Sequence, residues 1–218
     1  MKKTILTMCL LSHAVFAGEE AFDVLGSVMD TNKKELNVKQ EMDKGNKAFA
    51  KSKYGRYYKE GYWQFFHASS KAKKGEYCTA MFAREGVSVS IMGPGGDYKG
   101  ALMMIGSLDD KNTAFPTSSS QSKVTVTLKQ GKDAPQTLKA LNYALGESQA
   151  PVIVFAVPTI EAALESMEES MDFHLEYEGK NIADIEWHGG KRAKEELKKC
   201  LAGKPFYDKN PLKDKSIK

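Results

Sequence analysis

The chain has 218 residues, 41% of them hydrophobic and 28% charged, a length and composition that fit one globular domain. Its formal net charge is only +4, and its basic clusters are short and interleaved with acids, which argues against a nucleic-acid-binding protein. After the first residues, no apolar run approaches the roughly 20 residues that a membrane-spanning helix needs, so we expect no membrane span.

The first segment, Met1–Ala17, has the organisation of a secretory signal peptide. Two lysines are followed by the apolar stretch Ile5–Leu11 and by a cleavage position at Ala17. We expect cleavage after Ala17, export to an oxidising compartment such as a bacterial periplasm, and loss of Cys9 with the signal peptide. Lipid attachment at Cys9 is the alternative, but Met8 stands where such a site needs a small residue.

Residues 18–61 are predicted to form a helical arm. Apolar residues recur at spacings of three and four from Phe22 to Met29, but few later positions are strongly apolar. We expect the arm to wrap the outside of the domain or to bridge to a partner, because it has too little apolar surface for a core of its own.

Three tyrosines near the end of the arm, Tyr54, Tyr57 and Tyr58, share a helical face. Exposed tyrosines of this kind stack on sugar rings, such as those of peptidoglycan, or anchor a protein partner. The alternative is that these side chains fasten the arm to the sheet that follows.

From Tyr62 the apolar period changes to two, which predicts β-strands. A two-residue turn at Glu85-Gly86 would pair Phe82 with Val89 and would place Cys78 on the buried face of the hairpin. Further strands are predicted over Ala101–Ile105, Val124–Leu128 and Val152–Phe155. The stretch Leu138–Leu145 fits either a strand or a helix. Pro158 then begins a predicted helix, with Thr159 near its cap and four apolar residues on one face: Ile160, Leu164, Met167 and Met171.

The most informative pattern is a hairpin near the C-terminus, in which apolar and polar residues alternate on both strands. A two-residue turn would set charged residues beside apolar ones. A three-residue turn at Gly179-Lys180-Asn181 instead pairs Phe173 with Trp187 and Leu175 with Ile185 on a single face, so we predict that register.

The outward face of this hairpin carries two imidazoles and several carboxylates: His174, Glu176, Asp184, Glu186 and His188. The predicted register places Glu176 opposite Asp184 and His174 opposite Glu186. In the first of these pairs two like charges lie directly opposite each other. Such a set binds a divalent metal ion or the basic surface of a partner protein. The third interpretation is a solvated outer face neutralised by neighbouring lysines.

A final helix is predicted to carry Ala193, Leu197, Cys200 and Leu201 inward. After export, Cys78 and Cys200 are the remaining cysteines, and such a pair in an exported chain indicates a disulfide. Two free or metal-bound thiols are the alternative.

These elements predict an α+β protein that is mainly β. We expect an antiparallel β-sandwich or open barrel with an N-terminal helical arm and a C-terminal helix. The expected divisions are a signal peptide at 1–17, the arm at 18–61, a single β-rich domain at 62–203 and a flexible tail at 204–218.

The sequence lacks the catalytic motifs Gly-x-Ser-x-Gly, His-Glu-x-x-His, Cys-x-x-Cys and Gly-Lys-Ser/Thr. We therefore expect no cofactor, and predict a non-catalytic periplasmic protein that binds another protein or a cell-envelope component. An immunity or inhibitor protein is one form of this function. The alternatives are a cell-wall-directed or metal-dependent hydrolase that uses the hairpin residues, and a small-ligand carrier.

One further comparison rests on Cys78, on the run Ile185-Glu-Trp187-His-Gly-Gly190, and on the helix that ends in Lys199-Cys200-Leu201. This order resembles the invasion-associated locus B family of exported proteobacterial proteins. Those proteins are mostly β and close with a strand, a small-residue turn and a helix holding a cysteine. The resemblance covers about Tyr62–Leu201, is one of arrangement, and implies a non-catalytic, envelope-associated role.

Overall fold

The computed structural model describes residues 53–108, 114–116, 122–145 and 150–206. The predicted signal peptide, most of the predicted arm and most of the predicted tail lie outside these residues. The described helices are α1 (Lys53–Glu60), α2 (Ile160–Ser166) and α3 (Gly190–Leu201). The described strands are β1 (Tyr62–His67), β2 (Cys78–Arg84), β3 (Val87–Met92), β4 (Ala101–Ser107), β5 (Ser122–Gln130), β6 (Gln136–Leu145), β7 (Ala150–Val157), β8 (Ser170–Tyr177) and β9 (Lys180–His188).

The nine described strands form one sheet in the order β1-β2-β3-β4-β7-β6-β5-β8-β9, and every neighbouring pair is antiparallel. The sheet curls into a half-barrel, so β9 also contacts β3 and β4. The protein is therefore mainly antiparallel β with a few helices, as predicted, and the single curled sheet corresponds to the open-barrel form. Within the described residues, no helix is both long and apolar enough to cross a membrane.

The first hairpin has the predicted register. Phe82 lies opposite Val89, and Ala80 lies opposite Ile91, on either side of the turn at Glu85-Gly86. The ambiguous stretch 138–145 belongs to β6, where Leu138 and Ala140 alternate toward the interior. The alternation of apolar and polar residues therefore predicted the positions of these strands correctly wherever the sequence has a clear period of two.

The main core fills the concave side of the sheet, and α2 and α3 pack against it. Its largest fully buried side chains come from several strands and from α3: Trp187, Phe82, Phe155, Phe173, Ile105, Ile153, Leu175 and Leu197. A second buried cluster lies on the other face of the central strands and includes Met92, Met104, Val152 and Val154. Because both faces of these strands are buried, β4 is apolar without alternation and is buried at every position.

Helix α2 begins where the sequence predicts and ends sooner. Thr159 is its N-cap, and its hydroxyl oxygen accepts a hydrogen bond from the backbone N–H of Ala162 at 3.1 Å. The helix ends at Ser166, and Met167 has an extended backbone. Met171, which was predicted on the same helical face, lies instead in β8, so its apolar spacing was coincidental.

The C-terminal hairpin of β8 and β9 has a different register from the predicted one. Its turn has two residues, Glu178 and Gly179, with φ values of +51° and +72°, as a tight hairpin turn requires. A β-bulge between Leu175 and Glu176 then shifts the pairing. Phe173 consequently faces Ile185 rather than Trp187.

The bulge explains why a two-residue turn is compatible with one apolar face. A turn of this length would alone place apolar residues opposite charged ones, but the bulge inserts one extra residue and restores the alternation. Leu175 therefore lies opposite Ala183, with Ile182 buried beside them. The predicted Leu175–Ile185 pair is wrong, because the actual partner of Leu175 lies two residues earlier on β9. The same side chains nevertheless face the core.

Helix α3 is joined to the sheet by a disulfide between Cys78 and Cys200, which confirms the predicted cysteine pairing. The sulfur atoms are 2.08 Å apart, and the two cysteines lie 122 positions apart in sequence. At the start of the helix, Gly190 packs so closely that a Cβ atom would lie 1.9 Å from the carbonyl oxygen of Glu168. The disulfide and this close contact hold α3 at both ends.

The two edge strands of the half-barrel, β1 and β9, meet through side chains rather than through a backbone ladder. Trp63 Nε1 donates to the carbonyl oxygen of His188 at 2.6 Å, and His188 Nε2 donates to the carbonyl oxygen of Glu60 at 2.8 Å. The Trp63 and Trp187 rings lie 5.4 Å apart between their centroids. We call this junction the seam.

Candidate functional site

The outward side of β8 and β9 presents a row of polar side chains, because Phe173, Leu175 and Ile185 point into the core between them. We call this surface the hairpin face and define it by Asp172, His174, Glu176, Asp184 and Glu186. All five are exposed or half-buried. Three of the residues predicted to form a site here, His174, Glu176 and Asp184, are in direct contact.

His174 lies between two carboxylates. Its Nδ1 is 2.6 Å from Asp184 Oδ1, and its Nε2 is 3.0 Å from Glu176 Oε1. Because ionised carboxylates only accept hydrogen bonds, both ring nitrogens act as donors, which defines an imidazolium. The side-chain amide of Asn181 donates to the second oxygen of Asp184. The group is a charged, hydrogen-bonded cluster on an open surface.

The ionisation of the cluster follows from these contacts. The hydrogen bond to Asp184, followed by the one to Glu176, raises the pKa of His174 above its usual 6.5. Burial by itself raises the pKa of Asp184, but the hydrogen bonds from His174 and Asn181 outweigh burial and hold it below its usual 3.8. At a pH between the lowered pKa of Asp184 and the raised pKa of His174, the cluster contains a carboxylate and an imidazolium, and each stabilises the charge of the other.

The protonation state of His174 determines which chemistry is open to it. In the protonated state both ring nitrogens donate to carboxylates, so neither offers the free lone pair that a metal ligand or a general base needs. Among the described residues, the group with metal-ligating atoms close together is His67, Cys78 and Cys200, which is elsewhere in the fold. The hairpin face is therefore better suited to charge-complementary contacts than to ligation.

The predicted cross-strand pairs on this face are wrong because of the bulge. His174 lies opposite Asp184 instead of Glu186, and Glu176 lies opposite Asn181 instead of Asp184. The like-charged pair that does occur is Asp172 opposite Glu186. Sequence analysis did not single out Asp172, although its alternation with Phe173 was a sufficient signal.

The remaining hairpin residues have separate environments. Glu186 accepts a hydrogen bond from the Ser170 hydroxyl at 2.8 Å. His188 belongs to the seam, where its ring packs edge-on against Phe82 with 5.2 Å between centroids. The two imidazoles therefore do not converge on one ligand.

Tyr57 and Tyr58 of α1 pack toward the sheet. The Tyr57 ring makes an edge contact with Tyr62 at 6.3 Å, and the guanidinium of Arg56 lies 5.7 Å from its centroid. The backbone carbonyl of Tyr58 accepts a hydrogen bond from Glu85 at 3.0 Å. Both side chains are half-buried, whereas the side chain of Tyr54 lies outside the described set. These contacts support the interpretation that Tyr57 and Tyr58 fasten the arm to the sheet.

The side chains of His67 and Phe206 lie beside the disulfide, in a second place where metal-ligating atoms come close together. His67 is exposed, and its Nε2 lies 3.7 Å from Cys200 Sγ. Its Nδ1 donates to the carbonyl oxygen of Glu76 at 2.8 Å. The Phe206 ring packs edge-on against the imidazole, with 5.3 Å between centroids. No sequence pattern indicated that His67 approaches the cysteines.

Replacement of His174 by glutamine is expected to destabilise the protein in a pH-dependent manner. A raised folded-state pKa contributes stability that is complete below pH 6.5 and is lost as the pH rises through the folded-state pKa. For a surface pair of this exposure we expect a cost of about 0.5–1 kcal/mol at pH 5.5 that shrinks at pH 9. Urea unfolding at both pH values measures this, and an equal cost at both would contradict the assignment.

The fold and site define a disulfide-linked half-barrel of nine antiparallel strands with an acidic hairpin face. No protein-family model, curated protein sequence or solved structure matches the chain. A functional assignment therefore rests on the chemistry of the described surfaces.

Proposed function

We propose that this chain is an exported, non-catalytic interaction protein that binds another protein or a cell-envelope component, and that the hairpin face binds a basic protein surface. The observation that carries the proposal is the exposed cluster in which two carboxylates bind one imidazolium while two more, Asp172 and Glu186, lie alongside.

The charge of the hairpin face favours a cationic partner. Two carboxylates contact His174, two more form the cross-strand pair Asp172–Glu186, and the residue opposite His174 on the neighbouring strand β5 is the basic Lys129. The face therefore keeps a net negative charge even when His174 is protonated. Complementary charges of this kind accelerate association and select partners more than they increase raw affinity.

The geometry also favours binding over catalysis. Both nitrogens of His174 are committed to carboxylates, and His188 is held in the seam by the carbonyl of Glu60. A hydrolase based on His174, Glu176, Glu186 and His188 stays a prediction without structural support, as does the carrier. The immunity or inhibitor form and the resemblance to the invasion-associated locus B family stay predictions compatible with the proposal.

Two observations support export. The organisation of residues 1–17 is that of a signal peptide. The Cys78–Cys200 disulfide is of the kind that forms and persists in oxidising compartments. Periplasmic localisation is part of the proposal, and fractionation of cells that produce the full chain, followed by N-terminal sequencing, would test it.

The binding function is tested by capture from periplasmic extract. The test variant carries Asp172→Lys and Glu186→Lys, which reverse the charge of the hairpin face and leave the His174 cluster intact. The control carries Glu161→Lys and Glu165→Lys, two exposed positions on α2 with the same change in charge. We expect the test variant to lose at least about tenfold in captured partner and the control to match the unmodified chain.

Salt provides a second readout. Capture through the hairpin face should weaken as ionic strength rises, because exposed charges are screened beyond about 10 Å at 0.1 M salt. Equal capture by both variants, or capture that does not change with salt, would contradict the proposal.

A further inference from the structure

We infer that, when the disulfide is reduced, His67, Cys78 and Cys200 form a binding site for a soft d10 cation of the Zn²⁺ or Cu⁺ class. The ligating atoms of these three residues all lie within 4.8 Å of one another. Two thiolates and one imidazole are donors that such cations prefer. This inference is independent of the proposed binding function.

The backbone already holds the three residues in place. His67 ends β1 and lies directly opposite Cys78, the first residue of β2. Cys200 lies in the last turn of α3, which packs against the same strands. The site therefore needs no rearrangement of secondary structure.

The contact with Glu76 prepares the imidazole for ligation. Because His67 Nδ1 donates to the Glu76 carbonyl at 2.8 Å, the ring can keep its Nε2 lone pair for another partner. Metal-ligating histidines commonly make this hydrogen bond, which fixes the tautomer and orients the ring. His67 Nε2 lies 3.7 Å from Cys200 Sγ and Nδ1 lies 3.9 Å from it, so the nitrogen that keeps its lone pair is the nearer of the two.

The distances suit tetrahedral coordination. Zinc bonds of about 2.3 Å to sulfur and about 2.0 Å to nitrogen place neighbouring N and S ligands about 3.5 Å apart, and two sulfurs about 3.8 Å apart. The His67–Cys200 separation of 3.7 Å is already close to this spacing. The two sulfurs, bonded at 2.08 Å, have to separate.

A reductant of the dithiol class can open the disulfide. It delivers two electrons and two protons to the disulfide and becomes a disulfide itself, which leaves the Cys78 and Cys200 thiols. Cation binding then releases both thiol protons as the thiolates ligate. Three protein donors leave the fourth tetrahedral position for water on the exposed side of His67.

The test uses Co²⁺ as a spectroscopic substitute for Zn²⁺. The purified chain is reduced with a phosphine, freed of reductant without oxygen, and titrated with Co²⁺, and then Zn²⁺ is added as a competitor. We expect thiolate-to-cobalt charge-transfer absorption that saturates at one equivalent in the reduced chain and is absent in the oxidised chain. His67→Ala should weaken binding at least about tenfold.

His188→Ala is the matched control, since His188 is also exposed and also donates to a backbone carbonyl, at 2.8 Å. It should bind like the unmodified chain. Equal weakening in both variants, or no difference between reduced and oxidised chains, would overturn the inference. If reduction alone unfolds the chain, Zn²⁺ must restore its circular dichroism spectrum, because ligation free energy is then folding free energy; failure to restore it would also overturn the inference.

Discussion

Replacement of Trp187 by alanine is expected to lower the free energy of unfolding by about 3–5 kcal/mol, because Trp187 is the largest fully buried side chain in the described part of the chain. Trp187 is 1% exposed, and its ring lies 4.8 Å from Phe173 and 5.4 Å from Trp63. Alanine would leave a cavity between β9, β8 and β1. Urea unfolding followed by far-ultraviolet circular dichroism measures the loss.

Trp187→Phe separates packing from hydrogen bonding. It keeps an aromatic ring in the core but removes the donor that bonds the carbonyl oxygen of Glu168 at 3.1 Å. We expect it to cost about 1–2 kcal/mol, the effect of losing one part-buried hydrogen bond. If the alanine variant lost no more than the phenylalanine variant, the central packing role of Trp187 would be wrong.

Removal of the disulfide by Cys78→Ala together with Cys200→Ala is expected to cost about 2–5 kcal/mol. The bond joins residues 122 positions apart, and closure of so long a loop removes much conformational freedom from the unfolded chain. The cysteines are 0% and 2% exposed, so alanine also loses some buried contact. Guanidinium unfolding of the oxidised chain and the double variant measures the difference.

Reduction provides the internal comparison for this second prediction. The metal-free unmodified chain in a phosphine reductant should have nearly the stability of the double variant, whereas the double variant should not respond to the reductant. Equal stability of the oxidised chain and the double variant would show that the bond adds nothing to the fold.

Much of the sheet was predictable because alternation is a local property. The Phe82–Val89 pair follows from the turn at Glu85-Gly86 and a period of two, with no further information. The order of strands was not predictable, since β4 pairs with β7, and β5 and β6 lie between these two strands in the sequence. That pairing depends on the curvature of the whole sheet and on burial of both its faces.

The C-terminal hairpin shows where local rules reach their limit. The sequence analysis assumed an unbroken ladder, and under that assumption a three-residue turn best separates apolar from charged residues. The molecule instead combines the tighter turn at Glu178-Gly179 with a bulge. Ile182, which is buried, is the extra residue of β9 at that bulge. The mark that the bulge leaves in the sequence is Ile182, an apolar residue out of phase with the alternation of Ala183 and Ile185.

The candidate sites were predictable to different degrees. The residues of the hairpin face were recognised from alternation, but their partners were not, because the bulge decides which carboxylates reach His174. The approach of His67 to Cys200 joins residues 133 positions apart and follows only from the docking of α3. Such proximity is a property of the tertiary structure.

The disulfide also determines how the protein would respond to mechanical tension. Strands β2 through β9 all lie between Cys78 and Cys200, so they belong to a covalent ring, whereas α1 and β1 precede it. Pulling on the two chain ends would strip β1 from the sheet and break the seam, but the load would then pass through the sulfur–sulfur bond. About 400 Å of extended chain would stay sheltered inside the ring until that bond was reduced.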